Sequence, residues 1–240
     1  MAKCHWVLVL LAVGTLSALV SALVNAAENK EIKDWGTIAD PDKDCTIKEQ
    51  KGTLAVTVPA TSHDLGVEHR LLNAPRVLRK VSGDFTAQVL VSGRVEAEPP
   101  ATLPDRLPFM GAGLLLWQDE NNYIRLERAS LVIPMGNREY YASFELRKDG
   151  KVIHFGDSTD FPLLNKDQYL RLERRGDNIL AAVSEDGKKW ASLNPMKVEF
   201  PKNLQVGVAA VNTSAKVLEV QFKSFKVTQK AQAAEKGGNK

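Results

Sequence analysis

Asn122-Tyr123-Ile124-Arg125-Leu126-Glu127-Arg128 reads NYIRLER, and Gln168-Tyr169-Leu170-Arg171-Leu172-Glu173-Arg174 repeats it as QYLRLER. Side chains of a β-strand alternate between two faces. In the first copy Ile124 and Leu126 share one face and Tyr123, Arg125 and Glu127 the other. The second copy sets Leu170 and Leu172 against Tyr169, Arg171 and Glu173 in the same way. Between the copies, Tyr141, Ser143, Glu145 and Arg147 alternate with Tyr140, Ala142, Phe144 and Leu146. Three stretches thus each offer an apolar face for a core and a Tyr/Arg/Glu face for something else.

The rest of the chain continues the two-residue period, and helical periodicity is nearly absent. β-branched and aromatic runs predict strands at Thr53–Val58, Arg76–Val81, Phe85–Ser92, Gly113–Trp117, Tyr123–Ala129, Tyr140–Lys148, Lys151–Phe155, Tyr169–Arg175, Ile179–Glu185, Leu204–Asn212 and Val217–Val227. Asp149-Gly150 and Asp186-Gly187 tolerate positive φ and predict two-residue hairpin turns. Gly176-Asp177-Asn178 links RLERR to ILAAV in a similar way. Many short strands with no helices between them predict an all-β protein of two antiparallel sheets, a jelly-roll sandwich. Two connections are long: Gly93 to Phe109, with Pro99, Pro100, Pro104 and Pro108, and Leu131 to Arg138, with Pro134 and Gly136. Each is read as either a functional loop or a tolerated insertion.

The chain ends differ from this domain. Lys3 precedes the apolar run Val7–Val24, and Val24-Asn25-Ala26 offers a small-residue cut site. This is the pattern of a secretory signal over residues 1–26, with an uncleaved anchor as the alternative. It predicts an extracytoplasmic protein, periplasmic or secreted, with no membrane attachment once the leader is cut. The domain then runs over 27–228, and the tail 229–240 has no large apolar residue to order it. Net charge is +3 over 240 residues, without a Lys/Arg block that would suit nucleic acid. Of the two cysteines, Cys4 lies in the leader, so Cys45 has no disulfide partner in the domain. Cys45 reads as a small buried side chain at a strand start.

If the three amphipathic stretches share a sheet, their polar faces form a platform. Aromatic rings stack on the C–H faces of sugars, and arginine and carboxylate groups hydrogen-bond vicinal hydroxyls in fixed geometry. The candidate ligand-binding residues are therefore Tyr123, Arg125, Glu127, Tyr141, Glu145, Arg171 and Glu173, and the expected ligand is a glycan or a glycan-derived molecule. The competing reading is a solvated outer face laced with weak ion pairs.

Four blocks resemble one known family in order and spacing: VSGDFTAQVLV (Val81–Val91), GAGLLLWQDENNYIRLE (Gly111–Glu127), YLRLERRGDNILAAVSEDGKKW (Tyr169–Trp190) and LQVGVAAVNTSAKVLEVQFKSFKV (Leu204–Val227). The family is of unknown function and is labelled "regulation of enolase protein 1, concanavalin A-like". The likeness spans Trp35 to Val227. It implies a concanavalin A-like jelly roll and company with lectin-like and glycoside-acting proteins, and it brings no activity with it.

Catalytic patterns are sparse, and the sequence favours binding over catalysis. No single strand carries the paired carboxylates of a concanavalin A-like glucanase. Glu127 and Glu173 on different strands remain a candidate pair for glycoside cleavage, but Arg125 and Arg171 two residues away are expected to hold each in its ionised form. A carbohydrate-active enzyme of unfamiliar type and a structural or protein-interaction domain are the alternatives. Asp40-Pro41-Asp42-Lys43-Asp44 alternates carboxylates as calcium loops do, yet lacks the glycine and distal glutamate of an EF-hand. No cofactor is expected, with calcium at this loop as the exception to test. His63 and His69, six apart, have poor zinc spacing.

Overall fold

The computed structural model describes residues 30–229. The leader and the tail read from the sequence lie outside these residues, apart from Gln229, which closes the last strand. No helix among the described residues is long and apolar enough to cross a membrane.

The strands run β1 (Glu31–Ile32), β2 (Gly36–Ala39), β3 (Thr46–Gln50), β4 (Thr53–Val58), β5 (Leu65–Gly66), β6 (Leu71–Leu72), β7 (Arg76–Ser82), β8 (Phe85–Arg94) and β9 (Phe109–Asp119). They continue as β10 (Asn122–Val132), β11 (Arg138–Lys148), β12 (Lys151–His154), β13 (Gln168–Arg175), β14 (Asn178–Ser184), β15 (Ala191–Ser192), β16 (Met196–Lys197), β17 (Asn203–Asn212) and β18 (Leu218–Gln229). One 3₁₀ turn, Val67–His69, sits between β5 and β6. All eleven stretches expected to be extended are strands. The short strands β1, β2, β5, β6, β15 and β16 were not foreseen, because two to four residues carry too little alternation to read, and of β3 only its start near Cys45 was foreseen.

Two antiparallel sheets form a sandwich. Sheet A has the order β1-β2-β7-β17-β9-β10-β11-β12, and sheet B the order β15-β14-β13-β8-β18-β4-β3 with β16 beside β14. Between them lie the apolar faces read from the sequence: Ile124, Leu126, Phe144 and Leu146 from sheet A meet Leu170, Leu172, Val89 and Phe222 from sheet B. Each such side chain contributes about 1.5–3 kcal/mol when fully buried.

Two local expectations change. The Asp149-Gly150 turn has positive φ at both residues, 52° and 71°, as a tight hairpin requires. The Asp186-Gly187 dipeptide does not make a two-residue turn. Val183 pairs with Ala191, and residues 185–190 form the loop between β14 and β15. The Asp186 carboxylate accepts the N–H groups of Lys188 and Lys189 there, a side-chain-built loop in place of the backbone turn.

The larger difference concerns the repeated strands. NYIRLER is β10 in sheet A, between β9 and β11. QYLRLER is β13 in sheet B, between β8 and β14. The two copies face each other across the core, so their polar faces point out of opposite sides of the sandwich. Three strands do not make one platform.

Sheet A is also covered on its outer side. Leu65, Ala74, Leu78, Leu115, Trp117, Tyr123, Ala209 and Val211 form a second, smaller apolar cluster there. Trp117 stacks on Tyr123 with centroids 5.1 Å apart, and Arg76 lies 4.8 Å above the Trp117 ring. With apolar contacts on both faces, β9 loses the in–out pattern of a half-exposed strand and reads as the apolar run GAGLLLW.

Candidate functional site

β10 and β11 pair in register so that Arg125 lies opposite Glu145 and Glu127 opposite Ser143. Directly opposed residues on one face bring their side chains together. Arg125 and Arg147 both donate to Glu145 Oε2, and Ser143 Oγ donates to Glu145 Oε1 at 2.9 Å. The ladder of charge extends to both sides. Arg125 reaches Asp64 at 3.3 Å, and Arg147 reaches Glu68 at 2.9 Å. Asp64 and Glu68 come from the segment that folds over the outer face of sheet A. All of Arg125, Glu127, Glu145 and Arg147 are 3 % exposed or less.

A charge cluster buried this deeply is a weak source of stability, because desolvation offsets most of the attraction. Its carboxylates also diverge. Burial opposes the charge on Glu145, but the guanidinium groups of Arg125 and Arg147 outweigh it and hold Glu145 down at about 2. Glu127 is pushed up to about 7: burial raises it, Arg125 opposes, and the negative charges of Glu145 and Asp64 add to the rise. Neither Glu127 oxygen has a hydrogen-bond partner, and the nearest ion-pair contact, to Arg125 Nε, is 3.7 Å. Arg125 favours the ionised form of Glu127 as expected, but without a hydrogen bond to either oxygen burial outweighs it. Gly111 makes the space: a Cβ there would come within 2.9 Å of Glu127 Oε2.

Over this cluster opens a pocket of about 260 Å³. Asp64, Arg125, Tyr141, Glu145 and Arg147 give it a polar floor, and Leu103, Leu107, Phe109, Leu131 and Phe155 give it apolar walls. Leu107 and Phe155 remain 40 % and 54 % exposed. The proline-rich loop after β8 thus has a structural role at this site: Leu103, Asp105, Arg106 and Leu107 form one wall. Its backbone is pinned by Ser130 Oγ, which accepts from Ala97 N, and by Ser214 Oγ, which accepts from Glu98 N. Of the second long loop only Leu131, at its start, reaches the pocket.

The predicted ligand-binding residues divide into three groups. Arg125, Tyr141 and Glu145 line the pocket. Tyr123 and Glu127 lie on the same sheet but not in its lining. The Tyr123 hydroxyl donates to Leu65 O at 2.8 Å and accepts from Val67 N at 3.2 Å, so it holds the covering segment down. Arg171 and Glu173 belong to sheet B. Arg171 stacks 4.1 Å above the Trp190 ring, and Glu173 accepts from Arg175 at 2.8 Å. Arg147 shares the parity of Glu145, the one signal in the sequence that pointed to it. Asp64 lay in a stretch without a readable pattern, and Phe155 was read only as the end of the Lys151–Phe155 strand, with no site role.

The Asp40–Asp44 loop does not close on itself as an oxygen cage. It turns toward His63, and Asp44, Cys45 and His63 present ligand atoms within 4.8 Å of one another. Cys45 is half-buried just before β3 and packs against the main core.

No family model matches this chain, and no curated protein matches it. Similarity to solved structures is extensive. A protein of unknown function from Saccharomyces cerevisiae aligns with a TM-score of 0.63 at 16% identity, covering 82% of this chain and 97% of that one. The GH43 protein BlXynB from Bacillus licheniformis aligns with a TM-score of 0.56 at 14% identity, covering 83% of this chain and 37% of that one. A xylan β-1,4-xylosidase from Bacillus halodurans aligns with a TM-score of 0.52 at 15% identity, covering 77% and 34%. This chain therefore spans about a third of those two longer proteins, and the likeness establishes a shared two-sheet β-sandwich fold.

Proposed function

We propose that this chain is an extracytoplasmic glycan-binding domain whose ligand enters the outer-face pocket of sheet A. The supporting observation is the combination of a buried, fixed Arg125–Glu145–Arg147 floor with the half-exposed Phe155 ring and Leu107 at the mouth. Guanidinium and carboxylate groups held in place by one another meet hydroxyls without losing side-chain freedom on binding. An aromatic rim supplies the stacking face that a sugar ring needs. Acidic and basic side chains both line the pocket, which favours a neutral sugar over a strongly charged one. The volume suits one sugar unit, so a chain end or a short oligosaccharide fits better than the middle of a polysaccharide. The fold's occurrence within a GH43 protein and a xylan β-1,4-xylosidase gives the reading context. A leader over residues 1–26 would place the domain where such ligands occur.

The test is calorimetric titration of the purified chain with xylose-, arabinose- and glucose-based oligosaccharides. Phe155→Ala should weaken binding about tenfold, about 1.4 kcal/mol, with an unchanged thermal midpoint. Absence of binding across a broad glycan panel, or equal binding by Phe155→Ala, refutes the reading.

A second reading draws on the two carboxylates. Glu127 at about 7 and Glu145 at about 2 are the kind of separated pair that divides acid and base roles in glycoside cleavage. For that reading Glu127 would have to reach the ligand from beside the pocket. Release of reducing ends from a bound oligosaccharide, abolished in Glu127→Gln, is its signature.

A further inference from the structure

We propose that Asp44, Cys45 and His63 form a binding site for one zinc-like divalent transition-metal ion, with Asp42 or water completing the coordination. The site is distinct from the pocket and does not depend on the glycan reading.

Three features carry the inference. The first is the donor set. A thiol, an imidazole and a carboxylate converge with all their ligand atoms within 4.8 Å of one another. A mixed S, N and O set suits zinc, whereas calcium takes oxygen ligands alone.

The second is the way His63 is held. It is 1 % exposed, and its backbone exchanges hydrogen bonds of 2.8 and 2.9 Å with Asn212. Its Nδ1 is held by Thr61, whose carbonyl and hydroxyl oxygens each lie 3.3 Å away. Its Nε2 faces Asp44 Oδ1 at 2.9 Å, with Asp42 Oδ2 at 3.8 Å. Either a ring proton or a metal cation satisfies this contact, and a cation bound there takes the Nε2 lone pair and the carboxylate oxygen together. A backbone carbonyl beside the second ring nitrogen is a usual way of orienting a metal-binding histidine.

The third is uncompensated negative charge. Among the described residues, no lysine or arginine lies within ion-pair distance of Asp40, Asp42 or Asp44, and only His63 pairs with them. One oxygen of Asp40 accepts from Cys45 N at 3.2 Å, while the other, Oδ1, is buried without any partner. Cys45 Sγ sits 3.7 Å from Asp44 Oδ1. An ion here displaces the thiol proton to solvent and forms bonds to Sγ, Nε2 and a carboxylate oxygen, with no change in oxidation state. It would tie the loop after β2 to the segment over sheet A.

The test uses the untagged chain stripped with a chelator, then titrated with zinc chloride, calcium chloride and cobalt chloride. One zinc per chain is expected, with calcium unable to compete. Cobalt should give a near-ultraviolet thiolate charge-transfer band. Cys45→Ser should remove that band and weaken zinc binding at least about tenfold, and Asp44→Asn should weaken it while both variants keep the parent's circular dichroism. Cobalt binding without a thiolate band, zinc affinity unchanged in Cys45→Ser, or displacement of zinc by calcium overturns the proposal.

Discussion

Replacing Glu127 by glutamine keeps the size of the side chain and removes its ionisation, so the variant reports what that ionisation costs the fold. The carboxyl is raised from 4.5 to about 7. At roughly 1.4 kcal/mol for every unit of pKa, the ceiling on its effect is about 3 kcal/mol. The sign follows from proton binding. Between these two values the folded chain holds the proton and the unfolded chain releases it, so the contribution of Glu127 to stability is complete below pH 4.5. It is lost as the pH rises through about 7, where the carboxylate ionises with neither oxygen hydrogen-bonded. Glu127→Gln should therefore match the parent at pH 4 and exceed it at pH 8 by up to about 3 kcal/mol. Urea unfolding of both proteins at pH 4, 6 and 8 measures the difference. Taking that difference cancels the other titrating groups, including Glu145 and Glu68, which are common to both chains. An offset that stays constant with pH refutes the reasoning, as does a parent that is more stable at pH 8. Either result means that Arg125, 3.7 Å away, holds Glu127 ionised after all.

The neighbouring residues should behave differently in the same assays. Glu145→Gln removes the shared partner of two buried arginines and should destabilise by about 3–5 kcal/mol near neutral pH. The stability that Glu145 contributes is present above its ordinary value of 4.5 and is lost as the pH falls through about 2, so urea midpoints of variant and parent should converge only in strong acid. Tyr123→Phe loses the two hydrogen bonds to the covering segment and should cost about 1–3 kcal/mol, with hydrogen exchange accelerating first over residues 65–72. Arg171→Ala changes only the stack on Trp190 on the far side of the sandwich, and should leave ligand affinity untouched and stability within about 1 kcal/mol. A loss of binding in Arg171→Ala would move the site to sheet B.

Much of the sandwich was legible because a strand advertises itself locally. The two-residue alternation of Ile124 and Leu126 against Arg125 and Glu127 needs no partner to be read, and it assigned inner and outer faces in both repeats. The site was legible only within one hairpin. Arg125, Tyr141, Glu145 and Arg147 sit on β10 and β11, which follow each other in the chain and pair with each other, so chain parity becomes spatial adjacency. Asp64, Phe155 and the Leu103–Leu107 wall come from irregular segments. Their positions depend on where those segments cross the sheet, and no periodicity encodes that. His63 illustrates the limit most directly: its spacing to His69 suggested nothing, while its bridge to Asn212 brings it to Asp44 and Cys45.

The sequence by itself determined that the chain is all-β and which side chains of each strand face the core, since alternation and turn chemistry act over a few residues. Only the tertiary structure decided that NYIRLER and QYLRLER lie in opposite sheets. Strand order is set by pairing between distant segments, such as β13 with β8 and β9 with β17, and identical amphipathic strands satisfy either sheet equally well. The same tertiary step covered much of the outer face of sheet A. It thereby turned a row of exposed charges into a buried network in which two glutamates on one face take opposite protonation behaviour.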